Sequence, residues 1–173
     1  MRISKMRYFF PLGTFLFLFL DGSLSQLFSQ SFFTPDTSIE SRLILLWLVL
    51  AICYGHVDHL LFWSVIAGFV FDLYYAGVLG VCTLLLPFMV YLTGSVLSFF
   101  NRSFIVVLLI YLIEVTVFTV LFYWVNILIG FTSVSAVTFI GRTLGPTLAY
   151  NLAAYVVLFW PLSIFFEKTN KDV

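Results

Sequence analysis

Residues 104–129 read FIVVLLIYLIEVTVFTVLFYWVNILI and contain one charged side chain, Glu114. At a rise of about 1.5 Å per residue, a helix of this length exceeds the roughly 30 Å hydrocarbon core of a bilayer. An apolar run longer than about 18 residues with so few charges indicates a transmembrane helix. The stretch therefore predicts that the chain crosses a membrane.

The composition of the whole chain agrees with this prediction. Residues of the AVILMFWYC set make up 62% of the 173 residues, and charged residues make up only 9%, whereas soluble domains are about 25% charged. Eight basic residues balance eight acidic ones, so no basic excess indicates nucleic acid as a partner. At roughly 20 residues per span, residues 1–173 have room for a single polytopic membrane domain and none for a separate catalytic domain.

Five further apolar segments flank residues 104–129, and they cover residues 8–28, 42–54, 60–75, 78–100 and 141–166. The segments 42–54 and 60–75 are shorter than a usual span of about 20 residues. They are therefore predicted either to tilt against neighbouring helices or to form a partly re-entrant pair. Pro146 is expected in the first turn of the last helix, where proline is tolerated. The predicted fold is an all-α integral membrane protein with about six transmembrane helices.

Lys and Arg in the short loops predict the orientation. With six spans, one side of the membrane holds both termini and all basic residues outside the spans, and this side is expected to be the cytoplasm. These basic residues are Arg2, Lys5, Arg7, Arg102, Lys168 and Lys171. The first span also fits a secretory signal peptide, with small residues at Ser23 and Ser25. Its cleavage would leave five spans, and the positive C-terminal tail favours a retained helix.

Four charged residues are predicted near the outer ends of their helices. Asp21 ends the first span and Arg42 opens the second, while Asp72 ends the third and Arg142 opens the sixth. Charges at membrane depth are costly and often functional. Two acids and two bases at one depth can neutralise one another, so they form either a docking surface for a partner or ligand, or an ion-pair network that fastens helix ends.

Glu114 lies about 16 Å into its span, close to the bilayer centre. Tyr111 precedes it by three residues on the same side of the helix and is placed to hydrogen-bond it. A proton or cation site is one interpretation. A glutamate that holds helices together is favoured, because a transporter would carry more such groups along a path.

Small residues at four-residue spacing predict close helix packing in lipid. Gly68 lies on the face of the third span that continues to Asp72, and the last span carries such a row in Gly141, Gly145, Ala149 and Ala153. Contacts within the chain are the first explanation of these rows. Contact with another molecule is the alternative.

The chain offers few groups for catalysis. His56 and His59 lie beside Asp58 without further ligands, so an interfacial turn explains them better than a metal site does. Cys53 and Cys82 lie in apolar stretches and are expected to be buried thiols. The sequence has no phosphate-binding glycine loop and no nucleophile elbow, so no enzyme, metal or cofactor is predicted.

Two segments resemble the MreD family of bacterial cell-shape proteins. Residues 67–80, AGFVFDLYYAGVLG, resemble the family's Gly-x-x-x-Asp helix end followed by Leu-Gly and another apolar helix. Residues 141–151, GRTLGPTLAYN, resemble its final-helix pattern of a Pro-Thr step with an Asn five residues after the Pro. Length, span number and short loops agree over essentially the whole chain. The matched positions are Gly68, Asp72, Gly80, Arg142, Pro146 and Asn151.

The resemblance implies a non-enzymatic scaffold of the elongasome, which carries out peptidoglycan synthesis for the cell wall, in the bacterial cytoplasmic membrane. Members associate with the bitopic protein MreC, and through it with the elongation glycosyltransferase and transpeptidase and with MreB. The family is similar in fold to the substrate-binding subunits of energy-coupling-factor transporters. The matched residues are assigned to the fold and to partner docking, and a homodimer stays open.

Two other functions are considered. A vitamin-binding transporter subunit has a similar size and span number, but the bulky residues 15–20, FLFLFL, argue against the small-residue docking helix of those subunits. A small proton-coupled channel centred on Glu114 is the second. An outward cavity that binds a lipid or another small molecule is compatible with the fold. Because the loops are short, a partner is expected to bind through transmembrane and outer-rim surfaces.

Overall fold

A computed structural model describes residues 6–55 and 57–171. Arg2, Lys5 and His56, which the sequence analysis used, lie outside this part of the chain. Within it, the elements in order are α1 (Met6–Leu27), α2 (Ser29–Phe32), α3 (Leu43–Tyr54), α4 (Leu60–Phe71), the π-helical turn Asp72–Ala76, α5 (Val81–Leu97), α6 (Phe104–Leu128), α7 (Ala136–Phe139), the π-helical turn Ile140–Leu144 and α8 (Gly145–Lys171).

Three helical segments are long and apolar enough to cross a membrane: Met6–Leu27, Phe104–Leu128 and Ala136–Thr169. Three more are apolar but shorter: Leu43–Tyr54, Leu60–Tyr75 and Val81–Leu97. Large apolar side chains cover the outside of the bundle, and Leu12 and Leu84 are 69% and 74% exposed. Lipid rather than water is the solvent that such a surface fits. The chain is therefore an all-α integral membrane protein, as its composition predicts.

The short helix α3 lies at the centre of the bundle. Every residue from position 41 to position 51 is buried, and α3 contacts α1, α5, α6 and α8. A helix that is apolar on all sides packs in an interior, and its 12 residues span only about 18 Å. Of the two predicted arrangements, the re-entrant pair of α3 and α4 is wrong, because α4 packs mainly on α5 and α1.

Trp47 of α3 fastens the centre to two outer helices. Its Nε1 donates a hydrogen bond to Oγ1 of Thr14 on α1 at 3.1 Å. Its ring stacks on Phe17 of α1 and lies 4.6 Å from that of Phe166 on α8, measured between centroids. Gly13 leaves room for this ring, because a Cβ there would lie 2.1 Å from the indole.

Gly68 allows α4 and α5 to meet backbone to backbone. A Cβ at this position would lie 2.3 Å from the carbonyl oxygen of Cys82 and 2.6 Å from the Cα of Thr83. Small residues permit such close approach between helices in lipid. The face of Gly68 is therefore occupied within the chain, as the first explanation of this row predicted, and is closed to a partner.

The last helix begins earlier than the sequence predicted. Helical backbone runs from Ala136 through the π-helical turn into α8, so Pro146 is not in a first turn. Proline has no N–H and its ring clashes with the preceding turn of an α-helix. The wider π-helical turn, which ends at Leu144, accommodates this interruption without breaking the helix.

The small-residue row of this helix faces outward. Its four members are all exposed: Gly141, Gly145, Ala149 and Ala153. A Cβ at Gly141 would meet no atom within 4 Å. Packing within the chain, the first explanation of this row, is therefore wrong for α8, whose small residues face outward.

Replacing Gly68 by Ala is expected to destabilise the fold, because the new methyl group would overlap the backbone of α5. Overpacking of this kind costs about 1–3 kcal/mol. The matched control is Gly94→Ala, since Gly94 lies within α5 and has open space around its Cα. Thermal unfolding in detergent, followed by tryptophan fluorescence, should give a lower midpoint for Gly68→Ala and an equal or higher one for Gly94→Ala. Equal midpoints for both variants would contradict the close contact.

Candidate docking site at the polar end of helix α3

The first N–H groups of α3 are bound by a carboxylate from another helix. Asp21 of α1 accepts hydrogen bonds from the N–H of Leu43 at 2.8 Å and of Ile44 at 2.9 Å. It also accepts one from the hydroxyl of Ser41 at 2.5 Å. A helix start leaves such donors without intrahelical partners, and Asp21 is only 3% exposed. The end of α1 is thereby joined to the start of α3.

Asn151 of α8 binds the same segment from the other side. Its Oδ1 accepts hydrogen bonds from the N–H of Arg42 at 3.0 Å and the hydroxyl of Tyr111 at 2.9 Å. Its Nδ2 donates to the carbonyl oxygens of Glu40 at 2.9 Å and Thr147 at 2.8 Å. The amide thus uses both its acceptor and its donor atoms, and it connects α6 and α8 to the start of α3.

Thr147 adds one more contact, since its Oγ1 accepts a hydrogen bond from the N–H of Glu40 at 3.0 Å. We call the residues that surround the start of α3 the cap cluster: Asp21, Glu40, Ser41, Arg42, Tyr111, Thr147 and Asn151. Glu40, Ser41 and Thr147 were not among the site residues predicted from the sequence. Ser41 precedes the N-cap residue Arg42, and its hydroxyl donates to Asp21 instead of capping α3 itself.

Arg42 is almost fully buried in the cap cluster. It forms an ion pair with Glu40, and its guanidinium lies 4.7 Å from the ring centroid of Phe118 and 5.7 Å from that of Phe122. These are cation–π distances. The Nε of Arg42 has no hydrogen-bond partner among the described residues. The partner of Arg42 is therefore Glu40 and not Asp21, because the Asp21 oxygens are occupied by the start of α3.

Asp72 caps a different helix. Its carboxylate accepts hydrogen bonds from the N–H groups of Gly80, Cys82 and Thr83 at 2.9, 2.8 and 3.0 Å. The hydroxyl of Thr83 donates another at 2.7 Å. Gly80 has a φ of +106°, a conformation that glycine adopts readily, and this turn brings the start of α5 back to Asp72. The hydrogen bonds between Asp72 and the start of α5 therefore join α4 to α5.

Arg142 lies apart from all three of these charged residues. Its side chain is 56% exposed and approaches Asp36 at 3.9 Å, while its carbonyl oxygen accepts a hydrogen bond from the N–H of Ser38. The predicted cluster of four neutralising charges is therefore wrong. Asp21 and Asp72 instead bind the N–H groups at the starts of α3 and α5.

Glu114 is paired with Thr93 and not with Tyr111. The Thr93 hydroxyl of α5 forms a hydrogen bond with the Glu114 carboxyl, and Thr93 also bonds to the carbonyl oxygen of Met89. Both side chains are buried. The expected bond from Tyr111 is absent because its hydroxyl binds Asn151. Glu114 thus connects α5 to α6.

A cleft of about 410 Å³ lies beside the cap cluster, and we call it the rim cleft. Its polar side carries Arg42 together with Ser25, Gln26 and Ser29, and its apolar side is formed by Phe33, Phe71 and Phe122. A concave site with a few polar groups among apolar side chains is typical of a binding site. The described residues contain no group of three or more His, Cys, Asp or Glu side chains that could hold a metal ion.

A second, apolar groove of about 340 Å³ lies between α6 and α8. Leu109, Ile113 and Thr116 line it from α6, and Leu148, Ala149 and Leu152 line it from α8. Ala149 also belongs to the outward small-residue row. We call this surface the α6–α8 groove.

These features define a polytopic helical membrane protein whose buried acids organise the helices. The model of the family described as rod shape-determining protein MreD matches residues 6–169. The chain belongs to the MreD family, which confirms the resemblance seen in its sequence, and it has a role in rod-shape determination. MreD proteins are shape-determining membrane proteins and not a known enzyme family.

One relative is the rod shape-determining protein MreD of Bacillus subtilis (strain 168). It is 23% identical over 167 residues, which cover 96% of this chain and 97% of the relative. No solved structure matches the chain.

Asp21→Asn is expected to lower the stability of the protein. The amide keeps one acceptor oxygen but turns an NH₂ group toward a backbone N–H, so at least one bond to a charged acceptor is lost, which costs about 1.5–3 kcal/mol. Thermal unfolding in detergent should give a lower midpoint. The control is Asp36→Asn, whose side chain is 90% exposed and whose midpoint should not change. An unchanged midpoint for Asp21→Asn would contradict the capping role.

Proposed function

We propose that this chain is a non-enzymatic scaffold of the cell-elongation machinery and binds the bitopic membrane protein MreC. The observation that carries the proposal is the family match over nearly the whole described chain. Through MreC the scaffold connects to the elongation glycosyltransferase and transpeptidase, and to MreB. Two of its buried acids, Asp21 and Asp72, serve as helix caps, and the third, Glu114, binds the hydroxyl of Thr93, which agrees with a structural and not a catalytic use.

We further propose six membrane spans, formed by α1, α3, α4, α5, α6 and α8, in the cytoplasmic membrane with both termini in the cytoplasm. Phe9 near the start of α1 and Phe165 near the end of α8 lie 6.0 Å apart between ring centroids, which supports one side for both ends. Arg7 and Lys168 are exposed there, in agreement with the positive-inside rule. Asp21 and Asp72 cap the starts of the short spans α3 and α5, so the first N–H groups of these helices need no water. A six-helix fold similar to the substrate-binding subunits of energy-coupling-factor transporters belongs to the same proposal.

The α6–α8 groove is our proposed seat for the transmembrane helix of MreC. Helix association in lipid depends on close packing and favours small residues at the contact. Ala149 offers this on α8, while Leu109 and Ile113 on α6 are 53% and 51% exposed. The rim cleft, at one end of the bundle, is the proposed second surface, and it receives the part of MreC that leaves the membrane.

Ala149→Trp is expected to weaken the contact with MreC, because the indole fills the groove. The two proteins are co-expressed and purified through a tag on this chain. The recovery of MreC should fall about tenfold, which corresponds to a loss of about 1.4 kcal/mol. The control is Leu84→Trp, since Leu84 is 74% exposed on α5, and it should recover as much MreC as the unaltered chain.

Two results would contradict the proposal. Equal recovery with Ala149→Trp would exclude the groove as the seat. Tight co-purification of a vitamin with no MreC bound would favour a transporter subunit instead. A homodimer would appear as a doubled mass of this chain in the absence of MreC.

Glu114 is hydrogen-bonded to Thr93 inside the bundle. We therefore predict that the protein does not conduct protons. Glutamine preserves the shape of Glu114 and can still hydrogen-bond Thr93, so Glu114→Gln should retain MreC binding. Vesicles with a pH gradient should dissipate it at the same rate with either form of the chain. A faster flux with the unaltered chain than with Glu114→Gln would favour a channel.

A further inference from the structure

A further cleft lies where the start of α1 meets the start of α4, and we call it the α1–α4 cleft. Its volume is about 770 Å³, which is within the range of small-molecule sites. Its walls come from the first turns of α1 and from the turn that leads into α4. Because the 22 residues of α1 span about 33 Å, which is roughly the thickness of a hydrocarbon core, the cleft lies at the level of a membrane surface.

Three polar side chains line this cleft and are accessible to a ligand. They are Arg7 of α1 and Asp58 and His59 of the turn before α4, and all three are exposed. Their side chains make no hydrogen bond or ion pair with the residues that the structure describes. The cap cluster differs in this respect, because hydrogen bonds within the chain occupy its Asp21 carboxylate.

The charges of the cleft have both signs and restrict which ligand fits. The guanidinium of Arg7 matches a phosphate group, and a ring N–H of His59 is a further donor. The carboxylate of Asp58 accepts hydrogen bonds, and a primary ammonium group is a donor of the opposite charge. A ligand that carries both a phosphate and an ammonium satisfies both signs at once. A ligand with phosphate alone would leave Asp58 beside a second negative charge, which repels it.

The aromatic walls of the cleft add an apolar requirement. Phe62 of α4 is 60% exposed and Tyr8 of α1 is 69% exposed, and the half-buried Trp63 lies beside them. Tyr and Trp are typical of the membrane–water interface, where one end of the ring meets lipid and the other meets water. A molecule that combines a zwitterionic head with apolar chains matches these walls, and phospholipids have this chemistry.

We propose that the α1–α4 cleft is a binding site for a zwitterionic phospholipid with a primary-amine headgroup. Arg7 and His59 hold its phosphate, Asp58 accepts hydrogen bonds from its ammonium group, and the aromatic side chains contact the upper part of its acyl chains. The site lies outside the α6–α8 groove and the rim cleft, so the inference goes beyond the proposed scaffold function and does not depend on it.

The first test measures headgroup selectivity. The purified chain in detergent is mixed with equal amounts of phosphatidylethanolamine, phosphatidylcholine and phosphatidylglycerol of identical acyl chains, and bound lipid is counted by native mass spectrometry. Phosphatidylethanolamine should be retained about tenfold more than the other two, as expected for one hydrogen bond to a charged group. Choline has no N–H to donate, and phosphatidylglycerol has no ammonium. Equal retention of the three lipids would overturn the inference.

Asp58→Asn should abolish most of this selectivity, because the carboxylate that attracts the ammonium group is removed. The matched control is Asp36→Asn, since Asp36 is exposed and does not line the cleft, and it should keep the selectivity of the unaltered chain. Both positions are on the surface, where such substitutions have little effect on folding. Undiminished selectivity of Asp58→Asn would show that Asp58 does not read the headgroup.

Arg7→Gln should weaken the retention of all three lipids, because each of them carries the phosphate. A loss of about tenfold is expected for a bond to a charged group. Arg102→Gln is the control, since Arg102 is also exposed but does not line the cleft, and its lipid retention should not change. Equal retention by the two variants would contradict the phosphate contact.

The last test locates the lipid in a bilayer made of equal parts of the same three lipids. A benzoylphenylalanine at Phe62 should crosslink phosphatidylethanolamine in clear excess over its share of the bilayer. The same group at Phe99, which is 83% exposed and outside the cleft, should crosslink the three lipids in proportion to their amounts. Proportional products at both positions would mean that the cleft holds only unselected bilayer lipid, which would overturn the inference. None of these measurements involves MreC, so their failure leaves the scaffold function untouched.

Discussion

A helix that begins inside a membrane must find acceptors for its first N–H groups within the protein, because lipid offers none. Helix α3 begins buried at the centre of the bundle, so its first N–H groups likewise depend on acceptors from the protein. Asp21 and Asn151 supply the acceptors from α1 and α8, and Tyr111 of α6 completes the arrangement through its bond to Asn151. Three outer helices are thus fixed in register around a central one. The position of Arg42, and with it the lining of the rim cleft, follows from this arrangement.

The same solution occurs a second time in the chain. Asp72 caps the start of α5 across a glycine turn, and Gly68 brings α4 within reach of α5 just before it. Both acids are therefore committed to the backbone and neither is free for chemistry. Two surfaces that stay open are the apolar α6–α8 groove and the more polar rim cleft.

The sequence predicted the elements better than their contacts. Composition and the apolar run of α6 were enough to predict an all-α membrane protein, and the bounds of α3 and α6 were close to the observed ones. Asp21 and Asp72 were chosen because charges in apolar helices are costly, and Asn151 because of the family resemblance; each of the three binds the start of another helix. Their partners were not predictable, because Arg42 and Asn151 are 109 residues apart and periodicity carries no information about such pairs.

The small-residue rows illustrate the same limit. Gly68 and Gly145 belong to equivalent spacing patterns, yet Gly68 touches the backbone of α5 and Gly145 faces outward. Only the packing of neighbouring helices decides which row is used inside the chain. Arg142 was also placed differently from the prediction. Its position at the start of an apolar segment suggested an ion pair with other helix ends. The helical backbone begins earlier, at Ala136, and Arg142 is exposed.

Hydrogen exchange at the start of α3 tests this account most directly. First-turn amides of a helix normally exchange fast, because they lack intrahelical partners. If Asp21 caps α3, the amides of Leu43 and Ile44 exchange slowly in the protein in detergent, as slowly as the centre of α6. The first-turn amide of Ile105, at the exposed start of α6, exchanges fast in the same sample. Exchange of Leu43 and Ile44 as fast as that of Ile105 would contradict the central role of this cap.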